Sequence, residues 1–182
     1  MNFIDYKSNT ESKKIFKDLY FLAFPREERR PMKVLDRLSA KNKLQVKIIF
    51  LDNKPIGLVV FSLFEDILWI DYLAIDPRIR SKGLGKKVLD YFKENYADYR
   101  IFVEVETPDL DTDPDDEKNK RVKFYEKNGF SPCHVRSRVF GCDFSLYSIN
   151  GRVSYEEYEN ITKEIYGIIF FRIARYKKLD LN

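Results

Sequence analysis

A strand-like run that passes through two glycines into an amphipathic, lysine-flanked segment constrains this chain more than any other feature. Ile67-Leu68-Trp69-Ile70-Asp71-Tyr72-Leu73-Ala74-Ile75 is almost wholly apolar and stops at Asp76-Pro77, which reads as a buried strand with a proline-marked end. Arg80-Ser81-Lys82-Gly83-Leu84-Gly85-Lys86 comes next, and Leu84, Val88, Phe92 and Tyr96 then recur every four residues as one stripe of a helix. Glycines let the backbone turn tightly and approach a ligand with no side chain in the way. The first turn of a helix leaves its N–H groups unpaired and pointing outward, and the helix dipole adds positive potential. Arg80, Lys82, Lys86 and Lys87 bring full charges to the same point. Strand, Gly-x-Gly turn and cationic helix start together make an anion site suited to a phosphate or pyrophosphate.

A Walker P-loop needs four residues between its glycines and a Gly-Lys-Ser/Thr end, and neither is present. A dinucleotide fingerprint needs a third small residue where Val88 stands; Glu104 supplies the later acidic residue, but the chain shows no second βαβ half. Arg80-x-x-Gly83-x-Gly85 instead resembles the Arg/Gln-x-x-Gly-x-Gly/Ala motif of the GCN5-related N-acetyltransferase (GNAT) family, which cradles the pyrophosphate of acetyl-coenzyme A (acetyl-CoA). A second match lies downstream. Phe124-Tyr125-Glu126-Lys127-Asn128-Gly129-Phe130 looks like the GNAT segment in which a helix ends in Phe-Tyr-Glu-x-x-Gly-Phe. Gly129 suits the left-handed residue that closes a helix, and Phe130 opens the next strand. The two motifs stand in family order, and the resemblance covers roughly residues 45–135.

The 182 residues suit one domain spanning 1–182, long enough for a substantial core. Hydrophobic residues make up 44% and aromatics 15%, which excludes a disordered chain. The net charge of +4 comes from 33 basic and 29 acidic side chains spread along the chain, without the clustered basic face that nucleic acid demands. Cys133 and Cys142 have no metal-like or redox spacing, so a reducing cytoplasm is the expected compartment. His134 is the only histidine. No metal is therefore expected, and the base must be a carboxylate, tyrosine, water or backbone group. The start of the chain lacks the pattern of a signal peptide, and no apolar stretch is long enough to cross a membrane.

Periodicity and turn residues predict a helix over Ser8–Leu22 with Ile15, Leu19 and Ala23 on its stripe and Phe16 and Tyr20 beside it, then a charged connector Arg26–Pro31 and a short helix over Met32–Leu38. Strands come next at Val46–Leu51 and Ile56–Phe64, joined by an Asp52-Asn53-Lys54 turn. After the anion-site strand and its helix come strand Arg100–Glu106, helix Glu117–Lys127, strand Phe130–Val135 and strand Phe144–Ile149. Ser154-Tyr155-Glu156-Glu157 has capping-box spacing and opens a terminal helix, with Ile161, Ile165, Ile169 and Ile173 on its buried face. The class is α/β. The resemblance implies a single GNAT-like domain, with a central mixed sheet of six to seven strands and helices on both faces.

Strand Ile101-Phe102-Val103-Glu104-Val105-Glu106 places Glu104 and Glu106 on the face opposite Val103 and Val105. It comes after a crossover helix, so both its faces should be covered, and a carboxylate there must line a cleft or find a partner. Glu104 is the first candidate base, Glu106 the second and Asp71 the third. Asp109, Asp111, Asp113, Asp115, Asp116 and Glu117 form an acidic loop. Pro114 and Lys120 occupy the glycine and glutamate positions of an EF-hand, which excludes that reading. The loop reads first as a solvated cap of the next helix, and second as an attractor for a cationic substrate at the cleft mouth.

The resemblance implies transfer of an acetyl group from acetyl-CoA to a primary amine by direct attack in a ternary complex. Arg80, Ser81, Lys82, Gly83, Leu84, Gly85 and Lys86 would hold the cofactor's phosphates, and a backbone N–H of Leu73, Ala74 or Ile75 would hold the oxyanion. Glu104 would take the ammonium proton and Tyr125 would protonate the departing thiolate. Many family members carry an asparagine seven residues before the tyrosine; here Lys118 stands there, with Asn119 beside it. The partners expected are acetyl-CoA and a small amine or peptide, with neither nucleic acid nor membrane, and a homodimer is allowed. The rival is a non-catalytic acyl-CoA sensor.

Overall fold

The computed structural model describes residues 1–26, 28–80, 82–108, 113, 115–174 and 177–179. Ser81, Asp109, Asp111 and Pro114 lie outside the described residues, as does the side chain of Ile173. In chain order the elements are β1 (Asn2–Asp5), α1 (Thr10–Ala23), α2 (Met32–Ala40), β2 (Gln45–Leu51), β3 (Lys54–Phe64), β4 (Ile67–Ile75), α3 (Leu84–Asn95), β5 (Arg100–Glu106), α4 (Glu117–Lys127), β6 (Ser131–Val139), β7 (Cys142–Ile149), α5 (Tyr155–Tyr166), α6 (Ile168–Ile173) and β8 (Lys177–Leu179). The strands take the order β1-β2-β3-β4-β5-β7-β6-β8 in one sheet. Antiparallel pairs flank β4 and β5, which are joined through α3, the kind of long connection that parallel neighbours need. The class is the expected one, α/β with a mixed sheet. Eight strands replace the six or seven expected among the described residues, because β1 and β8 have only four and three residues and carry no apolar run.

The chain divides into two compact units, Met1–Leu63 with Ile70–Glu94, and Phe64–Trp69 with Asn95–Asn182. In the first, Asn9 caps α1 by accepting from the Ser12 N–H, and Ser12, Phe16, Leu19 and Tyr20 form its buried face. The expected stripe through Ile15 and Ala23 is thus rotated, because aromatic contacts such as Tyr6–Phe16 at 5.0 Å set the phase. β2 and β3 meet through a two-residue turn with Asp52 at φ 50 and Asn53 at φ 60, the left-handed pair that suits the twist of a hairpin. Buried Val88 and Phe92 hold α3 to this unit's core, with Phe92 edge-on to Phe61 at 5.1 Å.

In the second unit Trp69 and Phe102 stack at 5.5 Å, and Tyr158 and Tyr166 of the terminal segment pack edge-on against Trp69. The capping box at Ser154 is formed, its hydroxyl accepting from the Glu157 N–H while the Glu157 carboxylate accepts from the Ser154 N–H. The terminal helix, however, stops at Gly167, which takes φ +88. A left-handed residue ends a helix and shifts the phase of the next segment. Ile161 and Ile165 are buried as expected, whereas Ile169 is 76% exposed.

Candidate active site

In the first unit, β4 is buried at Ile70 and then alternates, with Asp71, Leu73 and Ile75 half-covered and Tyr72 and Ala74 buried. The strand ends at Asp76, whose N–H donates to the Ile56 carbonyl at 2.9 Å. Pro77 then opens a single 3-10 turn, and the Asp76 carboxylate accepts from the Arg78 backbone and guanidinium. Those bonds hold the carboxyl below its usual pKa. Arg80 Nε reaches back to the Ile75 carbonyl at 3.3 Å.

Gly83 sits at φ +70, and a Cβ built there would meet nothing within 4 Å. Its carbonyl accepts the first helical bond, from Lys87, so the amides of Leu84, Gly85 and Lys86 begin α3 with no helical acceptor. Arg80, Lys82, Lys86 and Lys87 are all exposed around them. Lys86 pairs with Asp90 at 2.5 Å but keeps 62% of its side chain in solvent. Left-handed glycine, open space, helix-start amides and exposed cations are what a pyrophosphate requires. The residues present fit the phosphates of a nucleotide-bearing acyl donor.

Sequence reading missed two features that shape this half. Gly57 of β3 lies so close to β4 that an added Cβ would fall 2.2 Å from the Ala74 carbonyl oxygen. A lone glycine inside a strand pattern is the available signal for such an approach. The second feature is a clamp on the connector after α1. Arg30 Nη1 donates to Asp71 Oδ1 at 2.8 Å and to Tyr72 Oη at 3.0 Å, and the Arg30 N–H donates to Tyr20 Oη at 2.9 Å. Tyr72 in turn donates to the Glu28 carbonyl. Asp71 has only 2% of its side chain exposed. That ion partner, Arg30, comes from the connector. Burial pushes the Tyr20 and Tyr72 phenols up in pKa, so both stay neutral donors.

In the second unit, β5 and α4 have the predicted bounds. On the carboxylate face Phe102 is fully buried, whereas Glu104 and Glu106 are half-covered, so that face is open where the glutamates stand. Each glutamate has found a partner. Glu104 Oε1 accepts a short hydrogen bond from the Tyr158 hydroxyl, and Glu106 Oε1 lies 2.9 Å from Lys118 Nζ. Lys118 thus puts a cation where the family's asparagine stands. Asn119 donates to the Asp113 carbonyl, and Asp116 caps α4, as expected of the solvated loop.

Tyr125 is 7% exposed near the end of α4, edge-on to Phe124 and Phe130 at 5.2 and 5.5 Å. Its carbonyl accepts from the Asn128 and Phe130 N–H groups around Gly129, which takes φ +91. That closure fixes where the helix end presents Tyr125. Burial lifts its phenol to a pKa of about 12, with the nearby Arg121 charge pulling the other way.

The fold and the glycine turn before a cationic helix define a GNAT-type domain. The family model described as an acetyltransferase (GNAT) domain matches residues 43–132, a stretch that takes residues from both units. That stretch is a GNAT-type acetyltransferase domain. Over 114 residues it is 31% identical to YjbC of Bacillus subtilis (strain 168), a protein named as an acetyltransferase; the match covers 63% of this chain and 54% of YjbC, about half of that protein's length. A GNAT-family protein of Bacteroides thetaiotaomicron superposes with a TM-score of 0.74 at 23% identity, covering 93% of this chain and 98% of its own. A GNAT acetyltransferase of Elizabethkingia anophelis, solved with acetyl-CoA bound, gives 0.54 at 17% identity over 73% and 88%. At these identities the two structures speak for the fold.

Proposed function

We propose that the protein, as one domain over residues 1–182, moves an acetyl group from acetyl-CoA to a primary amine. The observation that carries this is the end of β4 followed by left-handed, unencumbered Gly83 and the cation-flanked start of α3, within a GNAT-type domain. Arg80, Ser81, Lys82, Gly83, Leu84, Gly85 and Lys86 hold the phosphates, and a backbone N–H among Leu73, Ala74 and Ile75 holds the oxyanion. Acetyl-CoA, as co-substrate, supplies a thioester carbonyl. Glu104 takes a proton from the ammonium, whose ordinary pKa near 10 keeps it unreactive at neutral pH. The freed lone pair forms the C–N bond, the nitrogen gives up its second proton to the departing sulfur through water, and the C–S bond breaks with its electrons on that sulfur. Tyr125 meets that sulfur with its hydroxyl. Complete proton transfer from a phenol at about 12 to a thiolate of ordinary pKa near 8.5 is uphill, so Tyr125 acts chiefly as a hydrogen-bond donor while the thiolate departs. Glu106, neutralised by Lys118, is the weaker candidate base, and Asp71, held by Arg30, weaker still.

The acceptor class is a small amine or a peptide, and the site of action a reducing cytoplasm. No helix among the described residues is long and apolar enough to cross a membrane. Thermal unfolding with acetyl-CoA tests the cofactor half of the proposal. At a hundredfold excess over its dissociation constant, binding adds about 2.7 kcal/mol, a rise of roughly 5 to 10 °C in a chain of this size. Gly83→Trp should melt only a few degrees below the wild type without ligand, since the space around the residue is open and only its left-handed φ of +70 opposes a side chain, yet lose the rise. An unchanged melting temperature for the wild type in millimolar acetyl-CoA would end the proposal.

A further inference from the structure

We propose that Tyr158 is a positioning residue for the base: its hydroxyl holds Oε1 of Glu104 and so fixes where the carboxylate that takes the proton from the ammonium stands. This rests on the assignment of Glu104 made above. Tyr158 is fully buried on α5, beyond the 43–132 stretch that matches the family model, so the family's motifs carry no sign of it. Its ring is fixed from several sides, edge-on to Trp69 at 6.0 Å, to Phe102 at 6.2 Å and to Tyr155 at 6.2 Å. The Thr162 hydroxyl bonds the Tyr158 carbonyl at 2.8 Å, and the capping box at Ser154 sets the start of the helix that carries it. A phenol so confined can offer its proton in one direction only, and that direction is Glu104.

The consequence is twofold. A half-covered glutamate has three rotatable bonds, and a pinned Oε1 removes most of that freedom, which is how a base is kept within reach of its proton. A hydrogen bond donated to a carboxylate also favours its ionised form. Among the described residues, several charged groups on the surrounding elements pair with one another. Glu106 of β5 pairs with Lys118 of α4, Glu157 of α5 with Arg100 of β5, Glu159 with Lys163 on α5, and Asp143 of β7 with Arg138 of β6.

The test compares Tyr158→Phe, Glu104→Gln and the double variant by pH–rate profile, with thermal melting and the acetyl-CoA-induced shift as controls. Tyr158→Phe should keep the shift, lower kcat roughly tenfold or more, and move the acidic limb of the profile up by about one pH unit. On the Glu104→Gln background the same change should cost nothing further. Equal losses on both backgrounds, or a lowered melting temperature with the limb in place, would overturn the positioning role alone. A Glu104→Gln enzyme with the wild-type rate and limb would overturn the base assignment and this role with it. Should Tyr158→Phe fail to fold, 3-fluorotyrosine at 158, a more acidic phenol of nearly the same shape, should move the limb down instead, and an unmoved limb overturns the proposal.

Discussion

Gly57→Ala should cripple the protein although it adds a single methyl group. In the interior of a strand, replacing glycine by alanine ordinarily stabilises, because it removes conformational freedom from the unfolded chain. Here the new Cβ would fall 2.2 Å from the Ala74 carbonyl oxygen and 3.1 Å from the Ile75 Cα. Both are backbone atoms, so no side chain can swing away. The strands themselves must part, and overpacking of this kind costs about 3 kcal/mol or more. In a chain of this length that is a fall of roughly 6 to 12 °C in melting temperature. The displaced backbone is Ala74–Ile75, the proposed oxyanion segment, so the acetyl-CoA-induced thermal shift should vanish as well. Gly83→Ala is the control: its Cβ enters open space, and only the left-handed φ of +70 opposes it, at about 1 kcal/mol. A Gly57→Ala protein that melts with the wild type would show that β3 and β4 do not approach this closely.

Tyr125→Phe should lower turnover about a hundredfold while leaving acetyl-CoA affinity and the melting temperature nearly unchanged. The ring packing against Phe124 and Phe130 is retained in the variant, and the amides that close α4 bond the backbone carbonyl of residue 125, which the substitution does not touch. The loss is confined to a hydroxyl proton that burial keeps in place far above neutrality. A phenol pushed up to about 12 also implies that this residue contributes no falling limb to the rate between pH 7 and 10. Steady-state kinetics separate the outcomes. A variant with wild-type kcat would return Tyr125 to the ordinary role of a buried aromatic, and a raised KM for acetyl-CoA with unchanged kcat would make it a binding residue only.

Local signals in the sequence reach as far as local physics does. β5 and α4 have their predicted bounds because alternation over Arg100–Glu106 and the Asp116 cap before Glu117 are short-range features. Gly129 closes α4 in the left-handed region for the same reason. The periodicity of four from Ile161 to Ile173 misleads, because a stripe drawn through Gly167 carries no information about the backbone turn that glycine takes. The expected cover over both faces of β5 holds at Phe102 and lapses at the glutamates, where it depends on partners from α4 and α5. The parts of the candidate site that escape reading are contacts between residues far apart in the chain. Arg30 reaches Asp71 across 41 positions and Tyr158 reaches Glu104 across 54. No spacing rule links such pairs, and each looks in sequence like an ordinary charge or core aromatic.

The claim that the protein transfers an acyl group, and does not merely bind its donor, is tested most directly by thiol release from acetyl-CoA over a panel of primary amines, with the acetylated product weighed by mass spectrometry. The account predicts release that depends on a particular amine, one free thiol per acetylated amine, and a loss of about a hundredfold in Tyr125→Phe. Tight binding of acetyl-CoA with no amine-dependent thiol release across small amines and peptide N-termini would contradict it and leave the protein an acyl-CoA sensor.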